Sequence, residues 1–384
     1  MANKDPVKVG VLYSQTGVTS AIESSQRLGT LLAIEEINDA GGVDGREIVA
    51  IEYDPASDPY QFRNLAERLV AIDNVSVIFG CYMSSTRKAV TPIVEKYNRI
   101  LFYATLYEGF EFSNNIIYTG AAPNQNSVQL ADFMMSMFGG RVYLVGSDYI
   151  YPYESNRIMS DLVHQRPGGS VVAQRYVPLS AGPQEFDGIV AEIKDMQPDF
   201  IFSTVVGDAT QHLYRAYSEA GLESRKMPIA SLTTSEVEIA QMGASVAAGH
   251  FTAAPYFTSI DSAENQRVLQ RFVDRFGTDI KPNACWEAAY FQVHLFANAM
   301  QGAGTDSVPA LMPEILGSEF VAPQGRIRVD PVNHHTHLYP RIGRVNSKGE
   351  FSIVRASKSA VAPDPYLVTH SLGDWTLALE TLQD

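Results

Sequence analysis

The feature that most constrains this chain is an alternation of short β-branched runs with amphipathic helices that starts twice. Val7 to Tyr13 has the pattern of a strand. Ser24 to Asn38 has that of a helix, with Leu28, Leu31, Leu32, Ile34 and Ile37 at helical spacing, and Glu47 to Tyr53 that of a second strand. Between them Ala40-Gly-Gly-Val-Asp-Gly45 stops the helix, because glycine accepts the left-handed turn there. Gln61 to Ile72, Val75 to Phe79, Ser84 to Tyr97 and Ile100 to Ala104 continue as helix, strand, helix, strand. After Asn124 the pattern restarts, with helices over 128–138, 155–164, 186–196 and 209–220 set among strands over 141–146, 170–176 and 200–204. Two long helices, Ala263 to Phe276 and Trp286 to Gly302, follow His250. Pro331, Pro340, Pro363 and Pro365 confine the tail from Phe320 onward to short strands and turns.

Alternation of this kind requires parallel sheets covered by helices on both faces and joined by right-handed crossovers. The expected fold is α/β, with two doubly wound, Rossmann-like lobes and a hinge. The expected division is 6–122 plus 253–330 for one lobe and 123–252 plus 331–384 for the other, with a ligand cleft between them. A chain of 384 residues has room for two domains of ordinary size. No low-complexity linker separates the halves, so short, tight crossings are expected, as a hinge requires.

Composition excludes several roles. Hydrophobic residues are 45% and charged residues 19%, which is enough to build packed cores. The formal net charge is −14 and no dense Lys/Arg cluster occurs, so nucleic acid and anionic membrane surfaces are poor partners. Cys81 and Cys285 are too few for a disulfide framework and are read as buried thiols. Met1 leads almost at once into a strand without an apolar signal segment, which leaves open a cytoplasmic location or a periplasmic one with the signal removed. No apolar run reaches the length of a membrane span.

No Gly-x-Gly-x-x-Gly follows the first strand, whose turn reads Ser14-Gln-Thr-Gly-Val18. P-loop, His-Glu-x-x-His, Cys-x-x-Cys and Gly-x-Ser-x-Gly patterns are absent too, so neither cofactor nor enzymatic activity is expected. In Asn333-His-His-Thr-His337, strand alternation lets only His335 and His337 share a side. No acidic or cysteine partner sits at ligand spacing, so a polar hinge or surface strand is expected there and not a metal site. Glu108 with Glu111, and Glu236 with Glu238, read as solvated or helix-start charges.

The informative segments lie where strands end and helices begin, the ligand-binding edge of open α/β sheets. Gly80-Cys-Tyr-Met-Ser-Ser-Thr86 places Ser84 as an N-cap at a helix start, where free N–H groups attract an anion or a carbonyl oxygen. Tyr103 and Thr105 alternate onto one side of the next strand, and Tyr149 and Tyr151 onto one side of a later one. Ser203 to Asp208 and Ser231 to Ser235 complete the set. Tyrosine rings and hydroxyls suit a small, flat, neutral polar ligand. An ammonium ligand such as leucine needs a buried carboxylate, for which Asp208 or Glu236 could serve.

Several of these runs resemble a known family. Gly80-Cys-Tyr-Met-Ser-Ser-Thr-Arg-Lys-Ala-Val90, Tyr107-Glu-Gly-Phe-Glu111, Gly120-Ala-Ala-Pro-Asn-Gln-Asn126, Gly146-Ser-Asp-Tyr-Ile-Tyr-Pro152, Phe202-Ser-Thr-Val-Val-Gly207, Ile229-Ala-Ser-Leu-Thr-Thr-Ser-Glu236 and Ala322-Pro-Gln-Gly325 are similar to those of the amide-binding regulators of aliphatic amidase operons. The likeness runs from Val7 to Trp375, and urea- and short-chain-amide-binding components of ABC transporters share parts of it. The resemblance implies a type I periplasmic-binding-protein fold and an aliphatic amide or urea as ligand. It implies that Ser84 and Thr105 hydrogen-bond the ligand, that Tyr149 reaches it from the other lobe, and that Tyr82, Tyr103, Tyr151 and Val206 wall the pocket, with Leu106 and Thr233 beside them. Leu106 stands where the regulators carry proline, which bears on pocket volume. The function the resemblance implies first is a cytoplasmic amide sensor that negatively regulates amidase expression by holding a partner antiterminator, which binds RNA once inducing amides release it. The alternative is the substrate-binding component of an ABC transporter for urea or short-chain amides, whose partner is an ABC permease. Homo-oligomerisation is left open.

Overall fold

A computed structural model describes residues 5–368 and the backbone of 379–381. Trp375, where the resemblance ends, and most of the expected second-lobe tail beyond 368 lie outside the described residues. Contacts divide the chain into two compact units, 1–121 with 261–338 and 122–260 with 339–384. The last two crossings thus fall at 260/261 and 338/339, where the sequence pattern had suggested 252/253 and 330/331.

In the first unit, β1 (Val7–Leu12), α1 (Ser20–Asp39), β2 (Ile48–Tyr53), α2 (Pro59–Ala71), β3 (Val77–Gly80), α3 (Ser84–Lys96), β4 (Ile100–Tyr103) and β5 (Ile116–Tyr118) follow in order. The five strands are parallel, in the order β2-β1-β3-β4-β5. Val9, Val11 and Leu12 of β1 are buried, as both faces of a helix-covered sheet require. Asp58 accepts from the Tyr60 amide and Pro59 opens α2, both N-terminal signals written in the sequence.

In the second unit, β6 (Arg141–Ser147), β7 (Ser170–Val177), β8 (Phe200–Thr204), β9 (Ile229–Ser231) and β10 (Phe251–Ala254) alternate with α4 (Ser127–Met137), α5 (Ile150–His164), α6 (Gln184–Met196), α7 (Ala209–Glu219), α8 (Glu236–Met242) and α9 (Ala244–Ala247). The chain then returns to the first unit as α10 (Ala263–Phe276), α11 (Ala284–Ala303) and α12 (Val308–Ile315), followed by the small antiparallel sheet β11 (Glu319–Ala322), β12 (Gly325–Val329) and β13 (Thr336–His337). Helix α11 packs along α1 so closely that a Cβ on Gly29 would lie 2.5 Å from the Trp286 carbonyl oxygen. The second unit ends with β14 (Arg341–Val345), β15 (Phe351–Ser357) and β16 (Leu379–Thr381). Its sheet runs β16-β15-β14-β10-β9-β8-β6-β7, the last five parallel. Counted from β6, those five repeat the order of the first sheet, second-first-third-fourth-fifth. Both units are therefore doubly wound α/β sheets. Cys81 and Cys285 are buried thiols, not joined in a disulfide.

Candidate functional site

In this strand order the crossovers on either side of the first strand leave in opposite directions, and the loops at its carboxyl end diverge to leave a hollow. In the first unit that point lies between β1 and β3. The loops there are Tyr13 to Thr19 and Cys81 to Met83, with Ala104 to Leu106 beside them. Tyr82, Ser84 and Thr105 all sit at this edge, and each is buried. Leu106 is partly exposed. Tyr103 is wholly buried, with its hydroxyl donating to the Tyr82 carbonyl at 2.7 Å, so its visible work is to hold Tyr82 in place.

Ser84 does not act as the helix cap expected from its position. Met83 is the cap residue and Ser84 the first helical one. The Ser84 hydroxyl turns away from the helix and donates to Glu108 Oε2 at 2.6 Å. Glu108 is itself only 2% exposed, so the solvated-charge expectation for it is overturned. Its counter-ion is Arg87, a wholly buried residue one turn along α3, whose Nη2 donates to Glu108 Oε1 at 2.7 Å and whose Nε donates to Glu111 Oε1 at 2.9 Å. The guanidinium carbon lies 4.9 Å from the ring centroids of both Tyr103 and Tyr107. Burial alone would favour the neutral form of Arg87; the adjacent Glu108, Tyr103 and Glu111 reverse this and raise its pKa well above the ordinary value. Glu111 is pulled below the usual carboxylate range, the cost of its burial being outweighed by Arg87 and Lys88.

Thr105 is fixed by neutral bonds. Its hydroxyl donates to the Cys81 carbonyl at 3.4 Å and accepts from Gln26 Nε2 at 3.0 Å. Gln26 Nε2 also donates to the Ala104 carbonyl at 3.1 Å. That bond sets the orientation of the carboxamide, and it leaves Gln26 Oε1 buried without a hydrogen-bond donor. Gly120 packs against the Thr105 carbonyl, where a Cβ would lie only 2.0 Å away, so no other residue fits there. Glu23, buried in α1, accepts from the Ser14 amide at 2.7 Å and the Thr19 hydroxyl at 2.6 Å and so ties down the β1–α1 loop. Burial pushes it up to about 7.

The equivalent point of the second unit lies between β6 and β8. Tyr149 caps α5 in an extended conformation and Tyr151 stands in its first turn, because Pro152 is tolerated there and lets the helix begin at Ile150. The two rings therefore do not alternate along a strand as expected, although their centroids are 6.4 Å apart. Val206 is buried and its amide donates to Ser147 Oγ at 3.2 Å. Thr233 donates to the Val205 carbonyl at 2.7 Å, and Ser231 Oγ accepts from the Thr233 and Thr234 amides at 3.0 Å each. Glu236 accepts from the amide and hydroxyl of Thr258, and burial pushes it up to about 7. Asp208 immediately precedes α7.

The histidine run is not a surface strand, since His334, His335 and Thr336 are buried. Only Thr336 and His337 are extended; His334 has φ 61°, and His335 is buried with its ring stacked on Tyr118 at 4.2 Å. His337 meets Asp330 at 3.3 Å, an acidic partner that its spacing in the sequence did not reveal. Sequence reasoning also passed over Gln26, Arg87 as an anchor, and the burial of Glu108. The available signal was a polar residue, Gln26, on the stripe of α1 that also carries Ile22, Gly29 and Ala33, all buried or closely packed.

Comparison with known proteins agrees with this architecture. The model of the periplasmic binding protein domain matches residues 7–372. The Leu/Ile/Val-binding protein homolog 6 of Brucella suis is 26% identical over 340 residues, covering 87% of this chain and 86% of that protein. The leucine-, isoleucine-, valine-, threonine- and alanine-binding protein of Pseudomonas aeruginosa is 24% identical, covering 85% and 86%. The structure of an ABC-transporter solute-binding protein of Rhodopseudomonas palustris in complex with 3,4-dihydroxybenzoic acid superposes with TM-score 0.84 at 22% identity, over 94% of this chain and 99% of that one. A branched-chain amino acid transporter substrate-binding protein of Streptococcus pneumoniae in complex with isoleucine gives 0.79 at 19% identity, over 93% and 100%. With two sheets of one winding order, a family model spanning almost the whole chain and whole-length relatives, this chain belongs to the periplasmic binding protein family.

Proposed function

We propose that the chain is the solute-binding component of an ABC-type importer and takes a small polar organic solute. The observation that carries this is the gathering of Tyr82, Ser84 and Thr105 at the carboxyl edge of one sheet, beside the open first turn of α3. The names of its relatives support the transport role. In this reading Ser84 and Thr105 of the first unit and Tyr149 and Thr233 of the second supply polar contacts, and Tyr82, Tyr103, Leu106, Tyr151 and Val206 line the solute. A periplasmic location goes with this role.

A second reading is a cytoplasmic sensor of aliphatic amides or urea that sequesters an antiterminator. The runs Tyr107-Glu-Gly-Phe-Glu111 and Gly146-Ser-Asp-Tyr-Ile-Tyr-Pro152 favour it. One experiment ranks the solutes: thermal unfolding of ligand-stripped protein with acetamide, urea, leucine and benzoate. A solute at 100 times its Kd adds about 2.7 kcal/mol, a midpoint rise of a few degrees. A rise with leucine or benzoate alone supports import of those solutes, and a rise with acetamide or urea alone supports an amide ligand. Unchanged midpoints with all four would remove both readings. The start of the native gene separates import from sensing, since a secretory signal is incompatible with a cytoplasmic sensor.

A further inference from the structure

The Ser84 hydroxyl is not free to choose its hydrogen-bond direction. Glu108 receives the Arg87 fork, Nη2 to Oε1 at 2.7 Å and Nη1 to Oε2 at 3.3 Å. A carboxylate held this way has only acceptor capacity. The 2.6 Å contact between Ser84 Oγ and Glu108 Oε2 therefore uses the single Ser84 hydrogen. What Ser84 retains is lone pairs. Thr105 is held more loosely, with a long 3.4 Å contact to the Cys81 carbonyl and one lone pair taken by Gln26. Gln26 adds an independent observation. Its Oε1, on the carboxamide that holds Thr105, is a fully buried acceptor without a donor. Two separate groups of bonds at the same sheet edge, Ser84 with Glu108 and Thr105 with Gln26, thus each leave acceptor capacity unused.

We infer that Glu108, which need not touch the solute, decides its chemical class. By taking the Ser84 hydrogen it leaves an acceptor edge that selects solutes presenting an N–H2 group or an ammonium over those presenting a carboxylate. The inference rests on the reading that Ser84 and Thr105 meet the solute. The backbone N–H groups of the first turn of α3 can meet an oxygen of either kind of solute, but at Ser84 Oγ a carboxylate sets lone pair against lone pair, whereas its amide isostere brings two hydrogens.

The test is calorimetric titration of the whole chain at about pH 7.5, where carboxylic acids are ionised, with matched pairs: propionamide and propionate, benzamide and benzoate. The native chain should bind the amide of at least one pair roughly tenfold or more tightly than its acid. Ser84→Ala removes the acceptor without touching the Arg87–Glu108 fork; it should weaken the amide and leave the acid unchanged or improved. Glu108→Gln supplies an N–H to Ser84 and releases its hydrogen toward the solute, so the amide-to-acid ratio should fall roughly tenfold. A loss of general packing would weaken both members alike and leave the ratio unmoved. Tighter binding of the acids by the native chain, with loss in Ser84→Ala, keeps the site and overturns the polarity. Equal losses for both members in Ser84→Ala overturn it too, and binding by neither series overturns the site reading together with the inference.

Discussion

The two units wind their sheets in the same order yet secure the loops at the carboxyl ends by different chemistry. In the first, the loops after β3 and β4 are joined through ions: Arg87 grips Glu108 and Glu111, and Glu108 grips Ser84. In the second, the loops after β6, β8 and β9 are stitched by neutral groups: Ser147 to the Val206 amide, Thr233 to the Val205 carbonyl, Ser231 to two amides and to the Ser203 carbonyl. Hydroxyl stitches share the load, each worth about 1 kcal/mol. A buried ion pair concentrates it and is costly to break from one side, but it also fixes which groups donate and which accept.

The largest expected effect follows from that difference. Arg87→Met leaves Glu108 buried without its counter-charge and should destabilise the protein by about 3–5 kcal/mol. Thr233→Val removes one neutral stitch and should cost about 1 kcal/mol. Urea denaturation of both variants against the native chain measures the contrast. Similar losses would break it, and would mean that the ionic lock is no stiffer than the hydroxyl one.

Much of the fold was legible because parallel strands buried on both faces leave apolar runs, and the helices between them carry apolar residues at helical spacing. Elements shorter than a few residues, such as β5 and β9, were missed for the converse reason: three residues carry no period. The start of α5 was misplaced because Tyr149 and Tyr151 read equally well as a strand until Pro152 is recognised as a first-turn residue. Within the candidate site, hydroxyls at strand ends stand out in a sequence. The partner that takes their hydrogens does not. Glu108 follows Ser84 by 24 residues, and only the parallel pairing of β3 with β4 brings the two together. Local charge patterning suggested a solvated pair of acids, and tertiary burial overrode it.

pH sharpens the comparison. On α1, Glu36 meets Arg267, Arg271, Tyr290 and His294. Burial raises its pKa, but the neighbouring His294, Tyr290 and Arg267 outweigh that and hold it at about 2. A folded-state pKa below the unfolded one means that the unfolded chain binds the proton first. This stability is therefore present above about pH 4.5 and is lost as pH falls toward 2. Glu36→Gln should flatten that acid limb and cost about 2–3 kcal/mol near neutrality. Glu236 in the second unit has the opposite sign. Its pKa is raised from 4.5 to about 7, so the folded chain holds the proton longer and stability falls as pH rises through that window. Glu236→Gln should remove the fall, gaining about 1–2 kcal/mol at pH 8 relative to its effect at pH 4. Melting midpoints between pH 3 and 8 separate the two, since the slopes have opposite signs; a Glu236→Gln curve that tracks the native one would sink the second assignment.

The smallest expected effect asks which unit sets the length of the solute. Leu106 of the first unit is partly exposed beside Thr105, and Val206 of the second is buried. If Leu106 bounds the proposed solute, Leu106→Ala opens space for longer chains and should improve butyramide relative to acetamide by about 1 kcal/mol for each methylene accommodated, roughly fivefold. Val206→Ala should do less, because Val206 is seated in the second unit's packing and its removal is partly taken up by neighbours. Titration of both variants with the two amides gives the ratio directly. A larger change in Val206→Ala would place the size limit of the proposed solute at Val206 and not at Leu106.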